Sequence, residues 1–136
     1  MKKELNNIIV NEIDAVEELI KALELQHKCM AEKDVIGMDG CVANIEKCNR
    51  RIAEWETKRR QYTQGSPMSA IINEAENEEL ENNYRKIKKL LEEAKLQKDT
   101  NEILIKQGLG FTTRMLNIMN PDRTPKTYTA YGKMGR

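Results

Sequence analysis

Between residues 38 and 62, Met38, Cys41, Ile45, Cys48, Ile52, Trp55, Arg59 and Tyr62 follow one another in alternating steps of three and four. Only Arg59 interrupts the apolar character of the row. A stripe recurring about every 3.5 residues belongs to a helix that buries a narrow seam against another helix. Residues 9 to 30 repeat the pattern with Ile9, Ile13, Val16, Ile20, Leu23, His27 and Met30. Beside that row lie Ile8, Ala15, Leu19 and Ala22, which widen the stripe of the first helix enough to serve two partners. Two seams of one period, split by Gly37 and Gly40, describe an antiparallel helical pair.

The turn between them, residues 34–40, offers Asp34 and Asp39 as N-caps. The first helix is expected from about Lys3 to about Lys33, and the second to about Tyr62. The cations Lys58, Arg59 and Arg60 suit the negative end of the second helix's dipole. Gln64-Gly65-Ser66-Pro67 breaks the chain, with Ser66 expected as a cap and Pro67 at the first helical position. A short piece, Met68 to Ile72, is expected to lead into a third helix whose start is rich in glutamate. Its seam is Leu80, Tyr84, Ile87, Leu91 and Ala94; it weakens at Lys98 and Asn101 and resumes through Leu104, Gly108, Phe111, Met115 and Ile118. Pro121 stops it, because the residue before a proline is pushed out of the helical region.

The sequence therefore predicts an all-α fold, an elongated antiparallel three-helix bundle or coiled coil with a long third helix. Residues 1–120 form the bundle and residues 121–136 a flexible basic tail, with four basic residues, one acidic and no apolar period. A third helix of roughly 45 residues, about 65 Å long, would overshoot the first turn by several turns. The overshooting part holds Leu109, Phe111, Met115, Leu116, Ile118 and Met119. An apolar face that nothing else in the chain readily covers marks a partner site. With Leu104, the residues Leu109, Phe111, Met115, Leu116 and Ile118 are the expected binding surface; flexible methionines there suit related helical partners.

Chemistry is hard to find in the rest. The only histidine, His27, has one carboxylate, Glu24, within helical reach, and no CxxC or HxxxH pairing exists, so no metal site is expected. No nucleophile motif or phosphate-binding loop appears, and Gly108-Leu109-Gly110 marks a soft point rather than a cradle. Neither a catalytic role nor a cofactor is expected. Cys41 and Cys48 sit on the seam as small buried hydrophobes, and three cysteines that cannot all pair fit reduced thiols in a cytoplasmic setting. With a net charge of +1, no global field favours nucleic acid. The clusters Arg50-Arg51 and Lys58-Arg59-Arg60 are expected to lie beside the acidic start of the third helix. Aliphatic runs are too short to insert into a membrane, and the first residues lack the apolar stretch of a signal peptide.

The order of these features resembles the FlgN-like flagellar export chaperones. The motifs that carry the resemblance are Asn101 with Leu104, matching an Asn-x-x-Leu-type patch, and Tyr131-Gly132-Lys133-Met134-Gly135, matching a Tyr-Gly-x-x-Gly tail. The resemblance implies a cytoplasmic chaperone of type III secretion. Its clients would be hook-associated proteins of the hook–filament junction, bound through their C-terminal helical segments. It also implies docking to a component of the export gate through Tyr131 and the adjacent Gly132. Independently, Tyr131 is the best anchor in the tail, since an aromatic ring offers large contact area with few torsions to freeze. Two other readings stay open: a self-associating coiled-coil adaptor, and a small helical regulator that binds nucleic acid through the Arg50 to Arg60 face. Oligomeric state is left open.

Overall fold

A computed structural model describes residues 2–106. Four helices and no strand occur among them: α1 (Lys2–Glu32), α2 (Val35–Thr63), α3 (Met68–Ala75) and α4 (Glu78–Lys106). The chain is all-α, as its periodicity predicts. The short piece expected ahead of the third helix is α3, three residues longer than its reading and closed by Glu76 in a left-handed conformation, φ 48°. The Asn77 side chain then accepts from the Leu80 amide at 3.0 Å and caps α4.

Asp34 caps α2 by accepting from the Gly37 amide at 2.9 Å, so Gly37 and Gly40 lie inside the helix rather than in the turn. A Cβ on Gly37 would run into the Asp34 carboxylate and lie 2.8 Å from the Cys29 sulfur. Only glycine lets the cap and the buried thiol approach together. Ser66 is not a cap: Pro67 takes the N-cap position of α3, without a side-chain bond.

Partner pairs fix the directions. Glu12 with Arg59, and Asp14 and Glu18 with Arg51, run α1 and α2 antiparallel. Asn6 with Asn83, Glu17 with Lys86, and Leu23 with Asn101 run α1 and α4 parallel. The path is up, down and up, with α3 as a short link at the lower end. Helix α1 packs on both α2 and α4, while α2 and α4 hardly meet. The wide stripe of α1 is the cause, since it has two faces to cover.

The main core joins Leu5, Ile9, Val16 and Leu23 of α1 to Met68 and Ile72 of α3 and to Leu80, Ile87 and Ala94 of α4. A smaller core at the α1–α2 turn holds Cys29, Met30, Met38, Cys41 and Ile105. From α2, Ile45, Ile52 and Tyr62 pack against the main core only partly buried. The cause is the splay of α2 from α4, which leaves their outer edges uncovered.

The basic clusters have different partners from those expected. Arg51 bridges Asp14 and Glu18 at 3.0 and 2.9 Å, and Arg59 meets Glu12 at 3.1 Å, all on α1. Arg60 pairs with Glu56 of its own helix. Because α1 lies between α2 and α4, its carboxylates are nearer to these arginines than the start of α4 is.

Candidate functional site

The splay of α2 and α4 opens a groove of about 540 Å³ with α1 as its floor. Leu19, Leu23 and Gln26 form that floor, Ile45, Asn49 and Ile52 one wall, and Leu91, Ala94 and Ile105 the other. Lys95, Lys98, Asp99 and Glu102 mark the α4 rim. Leu91, expected in the seam, is 42 % exposed and faces this groove. The reason is register: Leu80, Ile87, Ala94 and Asn101, seven apart, point at α1, and Leu91 lies beside that row.

At the upper end of the groove is a polar layer. Asn101, 1 % exposed, donates from Nδ2 to the Leu23 carbonyl at 2.9 Å and to Gln26 Oε1 at 2.8 Å. Its Oδ1 accepts from Gln97 Nε2 at 2.9 Å and lies 3.3 Å from His27 Nδ1. A buried amide with both its N–H groups and its oxygen engaged is satisfied, and its demands fix how α4 sits along α1. The layer divides the two apolar cores. Asn101 is thus turned inward and holds α4 in place, which the apolar pattern alone reads as a weakening of the seam. His27 meets Asn101 and Gln97 across the helices. Among the described residues no group of three or more His, Cys, Asp or Glu side chains could hold a metal ion.

The other buried ionisable groups serve packing. Glu12, 3 % exposed, is held by Arg59; burial pushes its carboxyl pKa up, and the arginine partly offsets that. All three cysteines are buried and free. Burial first, and then the neighbouring Cys29, raise the Cys41 thiol to about 11. Such a thiol stays protonated and unreactive at neutral pH. Cys29 joins Cys41 in the upper core.

Of the binding residues read from sequence, Leu104 is described: it is half-buried and packs on the upper core. Leu109, Phe111, Met115, Leu116 and Ile118, and Tyr131 and Gly132 of the tail, lie outside the described residues, as does the tail boundary at residue 121. What the structure adds is where they begin. Lys106 ends the described part of α4 beside the α1–α2 turn, because Ile105 packs with Met30 and Met38. The groove residues Ile45, Ile52 and Leu91 are legible as seam positions and Leu19 as part of the row beside the first seam, but not as an open face.

Among the described residues the candidate site is thus an apolar groove without clustered chemistry. The model of one family, the FlgN protein, matches residues 1–136, the whole chain. The chain belongs to the FlgN family. Searches of curated proteins and of solved structures gave no match. FlgN membership carries with it a general role as a flagellar export chaperone and the binding of flagellar proteins. The fold suits that role, since a helical FlgN bundle with an open apolar face can receive another helix. No helix among the described residues is long and apolar enough to cross a membrane.

Proposed function

We propose that this FlgN-family chain is a cytoplasmic chaperone for hook-associated proteins of the hook–filament junction. It binds their C-terminal helical segments, keeps them soluble and delivers them to the type III export gate. The observation that carries this reading is the composition just beyond Lys106. Residues 107–120 hold six large apolar residues and one charge, Arg114, whereas a third of the whole chain is charged. A segment of that kind is suited to meeting an amphipathic client helix through Leu109, Phe111, Met115, Leu116 and Ile118, with Leu104 at its inner edge. Residues 121–136 serve as a separate basic tail in which Tyr131, with Gly132 beside it, docks to the gate.

The test uses the full chain and a hook-associated protein's C-terminal segment in a calorimetric titration. Charged residues at Phe111 and Met115 should reduce affinity at least about a hundredfold while circular dichroism stays unchanged. The Tyr131→Ala variant should bind the client normally and bind the gate component weakly. Unaltered client affinity in the first variant would place the client site elsewhere. A particle that keeps one oligomeric mass with and without client would favour the adaptor reading instead.

A further inference from the structure

The groove between α2 and α4 has a length, an open end and a composition that together name an occupant. Along α4 it runs from Leu91 to Ile105, a rise of about 21 Å at 1.5 Å per residue. Its upper end is Ile105, one residue before the last described residue of α4. The chain therefore continues from the mouth of its own groove. The next residues include Gly108 and Gly110, which permit a sharp reversal that other residues resist. Beyond them, residues 111–120 would span about 15 Å as a helix, which the groove can hold. At helical spacing Phe111, Met115 and Ile118 fall at i, i+4 and i+7 on one face, with Met119 beside them. Their counterparts in the groove are Ile45 and Ile52, partly buried, and Leu91, less than half exposed. Arg114, the one charge between residues 107 and 121, falls at the edge of that face and can reach Asp99 on a rim that also carries Lys95, Lys98 and Glu102. Pro121 stops a helical run there, short of the groove's full length.

We infer that residues 107–120 fold back at the two glycines and lay Phe111, Met115 and Ile118 into the groove between α2 and α4, completing a four-helix arrangement in the free chain. The inference concerns the free protein and stands apart from the client reading, which uses some of the same side chains. If both hold, a client must draw this segment out before binding it, so docking in the groove competes with client capture.

Phe111 is the only phenylalanine in the chain, so its ring reports on one place without ambiguity. The experiment is nuclear Overhauser spectroscopy on the unaltered full chain with labelled isoleucine and leucine methyls and a labelled phenylalanine ring. Expected are cross-peaks from the Phe111 ring to methyls of Ile45, Ile52 or Leu91. These must disappear in a mixed sample in which half the chains carry the labelled methyls and the other half the labelled ring. Cross-peaks that appear in the mixed sample show a second copy in the groove and overturn the inference. Absence of any cross-peak to these methyls in the free chain also overturns it. If the methyls then shift on addition of a hook-associated protein's C-terminal segment, the groove is a client site instead. The client titration reads a different quantity, so either reading can fail while the other survives.

Discussion

Asn101 Nδ2 lies 2.9 Å from the Leu23 carbonyl oxygen, across an interface whose two residues are 78 positions apart in the chain. Such a bond is made at one setting of α4 along α1 and lost when α4 slides. Asn101→Ala should destabilise the fold by about 1–3 kcal/mol, since Gln26 and Gln97 lose a buried partner. Asn101→Leu should cost less, because an apolar side chain suits the neighbouring cores. Urea denaturation at constant slope measures both. An Ala variant as stable as the parent would show that the polar layer does not hold the register.

Glu12 gives a pH dependence of definite sign. Burial raises its folded pKa above that of the unfolded chain despite Arg59, so the folded state holds its proton more tightly. Its contribution to stability is therefore complete below about pH 4, where an unfolded glutamate is still protonated, and declines as pH rises through the elevated folded value. The stability difference between the parent and Glu12→Gln should shift against the parent over that interval. A difference that is flat with pH contradicts this. Arg59→Met, which leaves the carboxylate unpaired, should cost about 3 kcal/mol at neutral pH.

Gly37 and Gly40 lie in one helix yet should respond oppositely to alanine. At Gly40 no atom comes within 4 Å of an added Cβ, so Gly40→Ala should stabilise by about 0.5–1 kcal/mol. At Gly37 the added carbon meets the Asp34 carboxylate and Cys29, and overpacking should cost about 1–3 kcal/mol despite the better helix propensity. Thermal unfolding of the two variants measures the signs. Equal signs would mean the cap and the thiol yield freely.

Positions in one seam should differ in energetic weight. Met38 is fully buried, and its replacement by alanine should cost about 2–5 kcal/mol. Ile45 and Ile52 are partly buried on the groove wall and should cost about 1–2 kcal/mol each if the groove stands open, and more if residues 107–120 fill it. Denaturant unfolding separates the two classes. Costs at Ile45 and Ile52 that match Met38 would mean the groove is filled in solution.

The helices, their directions and their cores could be read from apolar period, because a stripe at that spacing has few other uses. Helix α2 ends within a residue of its reading but begins at Val35, inside the expected turn of residues 34–40. The break before α4 was also written in the sequence: Asn77 ahead of Glu78 and Glu79 is an N-cap signal, hidden within an acidic run. Asn101 and Arg59 were not legible, since a pattern of apolar residues scores a polar one as an interruption. Whether it is buried depends on a partner far away in the chain, Leu23 for the one and Glu12 for the other. The same limit applies to Leu91. Its spacing fits the seam, but only the distance between α2 and α4 decides whether anything covers it.

The central place of α1 has a consequence for the order of assembly. It meets α2 through contacts that are close in sequence near the turn, as between Met30 and Met38, whereas its bonds to α4 span 69 to 78 residues. Bringing distant segments together requires a large loop to close before any contact rewards it. The α1–α2 hairpin can therefore form while α4 is still being synthesised, and α4 is the last helix to arrive.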